Sequence, residues 1–145
     1  MRELIPVLQV AIGPVILISG VGLLLLTLTN RYGRTIDRSR QLVRELREVG
    51  EADRERLAGQ VHILYRRARL NRLSIALAGF SVLLASVLII MLFLTALLRL
   101  EVGIFISLVF ICCMASLIGS IGAFIMDINL SLAALKLELG EYKPE

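Results

Sequence analysis

The chain has 145 residues, of which 57% are hydrophobic and 19% charged, with a mean hydropathy of +0.83. Those values lie outside the range of a soluble domain of this size, so lipid replaces water around most of it. A net charge of +4 and a pI near 9.6 would suit a nucleic-acid binder. The distribution of charge excludes that reading: 12 of the 16 basic residues fall in residues 31–72, a segment that emerges directly from an apolar stretch, where anionic lipid headgroups are the nearer partner.

Residues 4–30 carry no charge. At about 25 residues such a stretch runs roughly 37 Å as a helix, enough to cross a ~30 Å hydrocarbon layer with some tilt. It is too long for the core of a signal peptide, ends in no small-x-small cleavage pattern, and continues into Thr29-Asn30-Arg31-Tyr32-Gly33-Arg34. It reads as a retained anchor. Few positive charges precede it (Arg2 and the terminal amine) and many follow, which places the N-terminus outside and the Arg-rich segment in the cytoplasm.

Within this first span, Gln9, Gly13, Gly20, Thr27, Asn30 and Arg34 fall on one helical seam, interrupted only by Ile16 and Leu23. A small and polar stripe on a membrane helix has two readings. In a packing seam, small residues let helices approach closely and Gln9, Thr27 and Asn30 hydrogen-bond across. In a pore, several copies of span one ring a channel, with the stripe facing water and Arg34 at the inner mouth. Pro14, beside Gly13, predicts a kink in either case.

Residues 31–72 predict a cytoplasmic antiparallel helical hairpin. Ile36, Ser39, Val43 and Leu46 follow one helical seam, and Leu57, Val61, Leu64, Ala68, Asn71 and Ile75 follow another with alternating steps of four and three. Gly50 suits a helix stop, and Glu51 and Asp53 place acid in the first turn of the next helix. The arms would project roughly 30 Å from the membrane. Arg31, Arg38, Arg40, Arg66, Arg67, Arg69 and Arg72, with Arg34, gather at the base as a candidate headgroup collar. Glu45, Glu48, Glu51, Asp53 and Glu55 gather at the tip, where they would solubilise the hairpin or recruit a basic protein partner.

Two further charge-free stretches, 73–98 and 102–126, form spans two and three, joined by the tight external turn Arg99-Leu100-Glu101. Span three carries a close-approach pattern, Ala115-x-x-x-Gly119-x-x-x-Ala123, with Ser116 and Ser120 alongside. Cys112 and Cys113 are adjacent, so their side chains point about 100° apart on a helix; that suits neither a metal pair nor a mutual disulfide, and they read as small packing residues. Asp127 falls at the inner end of span three, at about the depth of Arg31 and Arg72, and predicts an interfacial salt bridge. Beyond it, residues 127–140 form an amphipathic tail with Ile128, Leu132, Leu135 and Leu139 on one face, Asn129, Lys136 and Glu138 elsewhere, and Gly140 and Pro144 as its stop. The tail either continues span three against the hairpin or lies on the inner surface.

No catalytic set, cofactor site or metal site emerges. His62, the only histidine, lies beside the seam position Val61 and reads as solvated or capping. The intramembrane serines have no histidine or lysine partner at membrane depth. Gly20-Val21-Gly22 lies inside a span and carries no nucleotide signal. No ionisable residue lies deep in any span, as proton relays and ion-coupled transporters generally require.

The blocks running from Gly13-Pro14-Val15-Ile16 to Leu23-Leu24-Leu25-Leu26 and from Thr29-Asn30-Arg31-Tyr32 to Ile36-Asp37-Arg38 resemble a family of small bacterial three-span membrane proteins described only as a domain of unknown function, family 2721. Arg66-Arg67-Ala68-Arg69-Leu70 and Leu130-Ser131-Leu132-Ala133-Ala134-Leu135 fit the same pattern, so the resemblance covers nearly the whole chain. It implies a bacterial inner-membrane or cyanobacterial setting and no particular activity, cofactor or catalytic residue. Asn71 departs from it, standing where an apolar or basic residue is expected.

The expectation is therefore an all-α protein in a single membrane domain, with three spans, the first two extended into the cytoplasmic hairpin, and a short amphipathic helix at the C-terminus. Three helices with small-residue stripes bury little surface alone, which predicts a homo-oligomer. A non-catalytic scaffold or regulatory subunit is the leading functional expectation, and a small channel lined by span one is its rival.

Overall fold

The computed structural model describes residues 4–141, the side chains at 137, 138, 140 and 141 excepted. Arg2, the side chain of Glu138, and Pro144 lie outside the described residues. Among the described residues the protein is all helix: α1 (Leu4–Glu48), α2 (Glu51–Leu98) and α3 (Gly103–Glu141). Each is long and apolar enough to cross a membrane. In hydrocarbon a helix is the only open-ended structure that pairs its backbone groups internally, which is why such apolar stretches settle into it. α1 runs through Pro14 without a break. Ser19 and Thr27 donate their hydroxyls to the carbonyls of Val15 and Leu23, four residues back, so these polar side chains are satisfied by their own helix.

The connections are short. Between α1 and α2 stand only Val49 and Gly50; the Gly50 carbonyl accepts from the Asp53 N–H at 3.3 Å, and Glu51 and Asp53 lie in the first turn of α2 as the helix dipole favours. Gly50 does not adopt a positive φ, so α1 stops without a left-handed cap. Arg99 does adopt one, at 50°, and so takes at the end of α2 the place a glycine commonly fills. Gly140 does not stop α3, which continues to Glu141.

The chain divides into two compact units. The first comprises Met1–Thr27 and Ile75–Ser120. Its buried positions are small: Ala78, Ser81 and Ala85 on α2, Cys113, Ser116 and Ser120 on α3, and Ala11 on α1, joined by Val21 and Leu88. Without a hydrophobic drive between helices in lipid, close approach of backbones and interhelical hydrogen bonds supply the cohesion. Both are present. Ser81 Oγ donates to the Cys113 carbonyl at 3.1 Å, Cys113 Sγ donates back to the Ser81 carbonyl at 3.2 Å, and Ser116 Oγ donates to the Leu77 carbonyl at 2.7 Å. A Cβ on Gly119 would meet Leu77 Cδ1 at 3.2 Å. The packed face of α3 is thus Cys113, Ser116 and Ser120; Ala115 of the expected close-approach pattern is exposed.

The second unit comprises Leu28–Ser74 and Ile121–Glu145. On α1 it buries Leu28, Thr35 and Leu42, seven residues apart, and on α2 Leu64, Ala68, Asn71 and Ser74. The α2 positions from Leu64 to Asn71 are those expected. The α1 seam is corrected by one residue: Leu42 is 2% exposed and Val43 40%. The seven-residue step from Leu28 sets the register, whereas counting from Ile36 alone starts the seam on the neighbouring face. On α3 the buried residues are Ala123 and Asp127, while Ile128, Leu132, Leu135 and Leu139 are exposed on the same continuous helix.

Candidate functional site

The most polar part of the interior lies in the second unit and gathers around Asp127. This carboxylate has 0% exposure. Arg31 Nε of α1 donates to its Oδ2 at 2.7 Å, and Arg67 Nε of α2 donates to its Oδ1 at 3.3 Å. One buried acid thus joins all three helices. Burial strengthens the attraction and raises the desolvation cost, and an acid at this position is tolerable because two guanidinium groups meet it. The Arg31 guanidinium carbon also lies 5.5 Å from the centroid of the Phe124 ring, one helical turn before Asp127, which adds a cation–π contact. Thr35, buried one turn beyond Arg31, returns its hydroxyl to the Arg31 carbonyl at 3.1 Å, and Ser39 does the same to Thr35 at 2.9 Å.

Asn71 follows Arg67 by one turn on α2. Its side chain is fully buried, and neither its amide nitrogen nor its amide oxygen has a hydrogen-bond partner. The residue that departs from the resemblance is therefore also the one buried polar side chain left unsatisfied among the described residues. It is a cost to the core, of order 1–3 kcal/mol for each unpaired group.

The expected ion pair at Asp127 takes Arg31 and, in place of Arg72, Arg67. Depth along the helix suits both α2 arginines, but Arg72 is exposed because it follows the buried Asn71 by about 100° of helical rotation. Of the seven collar arginines, Arg31 and Arg67 turn to Asp127 and the other five, Arg38, Arg40, Arg66, Arg69 and Arg72, are exposed. Arg38 Nη1 donates to Gln41 Oε1 at 3.2 Å.

Among the described residues, none of the hydrogen bonds or ion pairs of this cluster involves a residue of the span-one stripe. In the first unit Gln9, Gly13, Gly20 and Thr27 are all exposed, and a Cβ built on Gly13 or Gly20 would meet nothing within 4 Å. In the second unit Asn30 and Arg34 are exposed too. Cys112 is exposed; Cys113 is buried and carries hydrogen bonds that sequence alone gave no reason to expect. Among the described residues no group of three His, Cys, Asp or Glu side chains is placed to hold a metal ion.

The family model described as "Protein of unknown function (DUF2721)" matches residues 11–137. The chain belongs to this DUF2721 family. The match takes in Arg31, Arg67, Asn71 and Asp127, so the whole buried polar cluster lies inside the family domain. No curated protein and no solved structure matches the chain.

Proposed function

We propose that this DUF2721 member is a non-catalytic protein of a bacterial inner or cyanobacterial membrane, with its N-terminus outside and its C-terminus in the cytoplasm. It assembles with copies of itself and serves as a scaffold or regulatory subunit. The observation that carries this reading is the outward stripe of α1: Gln9, Gly13, Gly20, Thr27, Asn30 and Arg34 are all exposed in the single chain. Polar side chains and bare backbone facing hydrocarbon gain little from lipid, whereas a second α1 packed against them gains close contact and interhelical hydrogen bonds. The exposed acids Glu48, Glu51, Asp53 and Glu55 around the link between α1 and α2 suit a basic segment of a further protein partner.

The same exposure supports a second reading, a small homo-oligomeric channel, because in a ring of four or more chains the stripe would face water. Subunit counting by native mass spectrometry separates the two. A monomer overturns both; a dimer leaves the scaffold and removes the channel. In a larger ring, cysteines placed at Gln9, Gly20 and Thr27 in a cysteine-free background report the difference, reacting with water-soluble thiol reagents in a pore and staying inert in a packed seam.

A further inference from the structure

The basic residues near the membrane edge form two populations. Arg31 and Arg67 are held by Asp127. Arg66, Arg69 and Arg72 of α2 are exposed, and among the described residues no hydrogen bond or ion pair engages them. Their own helix offers no remedy. The sequence contains no Asp or Glu between Glu55 and Glu101, so no acid stands three or four residues from any of the three. On a helix their spacing confines them to an arc of about 120° and a length of ~9 Å, within the reach of converging arginine side chains.

The neighbours on that face supply the second half of the argument. Tyr65 is 68% exposed and Leu73 50%, and Leu73 opens the charge-free stretch of α2. An exposed leucine on the bilayer side of uncompensated arginines is the pattern of a headgroup-level anchor, in which the leucine enters the lipid, the guanidinium groups stay at the phosphates, and Tyr65, ~12 Å further out along the helix, meets the outer headgroups. The planar guanidinium, with its fork of donors, matches phosphate oxygens in pairs. We infer that Arg66, Arg69 and Arg72, flanked by Tyr65 and Leu73, form a binding face for the phosphate groups of anionic phospholipids. A free phosphate ion would use the arginines and gain nothing from Tyr65 or Leu73. This inference stands independently of self-assembly, since it uses α2 of a single chain.

The test is native mass spectrometry of the full-length protein in detergent with equimolar phosphatidylglycerol and phosphatidylcholine. The intact protein is expected to retain phosphatidylglycerol preferentially. Each headgroup-level arginine contributes roughly fivefold, so the triple variant Arg66→Gln/Arg69→Gln/Arg72→Gln should lose on the order of 100-fold in that preference. The variant Arg44→Gln/Arg47→Gln/Arg54→Gln, which removes the same charge elsewhere, should keep it. An unchanged preference in the first variant, or an equal loss in both, overturns the inference. Displacement of phosphatidylglycerol by millimolar inorganic phosphate would also overturn it, by assigning the face to the free ion. Should the first triple variant not fold, Arg69→Gln alone should lose roughly fivefold, and full retention by that variant refutes the assignment.

Discussion

Replacing Asp127 with alanine removes the one carboxylate that both Arg31 and Arg67 engage. Its side chain is fully buried, whereas those of Arg31 and Arg67 keep 30% and 18% exposure. Breaking a buried ion pair by deleting one partner costs about 3–5 kcal/mol, chiefly because the remaining charge is stranded. Here the stranded groups are arginines with partial access to solvent, so rehydration returns part of that cost and about 2–3 kcal/mol is expected. For a chain of this length that corresponds to roughly 5–10 °C in Tm. Thermal unfolding in detergent, followed by far-UV circular dichroism, measures it. Arg31→Ala should cost less, about 1–2 kcal/mol, because Asp127 keeps Arg67 and the lost partner was the more exposed one. The combined variant Arg31→Ala/Arg67→Ala should be the least stable, since it strands the fully buried acid. If Asp127→Ala lowers Tm no more than a surface substitution such as Arg47→Ala, the carboxylate is not holding the helices and the reasoning fails.

Asn71→Leu replaces two unpaired buried polar groups with an apolar side chain of the same heavy-atom count, and should raise stability by about 1–2 kcal/mol in the same assay; a lower Tm would refute the cost assigned to the unpaired amide. Ser81 Oγ and Cys113 Sγ also lie within hydrogen-bond reach of each other, 3.3 Å apart, so Ser81→Ala and Cys113→Ala should be coupled in a double-mutant cycle by about 0.6 kcal/mol, the usual size of an interhelical hydrogen bond in a membrane protein, with strict additivity as the adverse result. In detergent, a maleimide should label Cys112 and spare Cys113, because only the former is exposed; peptide mapping after brief labelling distinguishes the two. A Cβ on Gly20 meets nothing within 4 Å, so Gly20→Leu should leave the stability of the dispersed monomer within about 0.5 kcal/mol of the parent while abolishing self-association on native mass spectrometry.

Much of this architecture is legible in the residues because hydropathy and helical period act locally. The three charge-free stretches become helices, and Leu64, Ala68 and Asn71 fall inside as their spacing requires. Depth alone also brings Asp127 to Arg31. What the sequence leaves open is rotation and axial register. Rotation decides that Arg67 rather than Arg72 completes the ion pair, and that Leu42 rather than Val43 is enclosed. Axial register decides the reciprocal bonds of Ser81 and Cys113, which need α2 and α3 to meet at one particular height. An extra helical turn in the connection would erase them without changing a single hydropathy value.

The contacts also differ in how far apart along the chain their partners lie. Ser81 and Cys113 are 32 residues apart, Leu77 and Ser116 39, but Arg31 and Asp127 are 96. Short separations close early and long ones late, since chain entropy rises with the loop to be closed. During synthesis, α2 and α3 can therefore associate as soon as both exist, while the arginines of α1 and α2 wait for an acid carried in the later half of α3. Truncation anywhere before Asp127 leaves Arg31 and Arg67 without their counter-charge. The ion pair thus marks the arrival of α3: until synthesis has passed Asp127 the interior of the second unit cannot be neutralised, and Arg31 and Arg67 stand without their carboxylate.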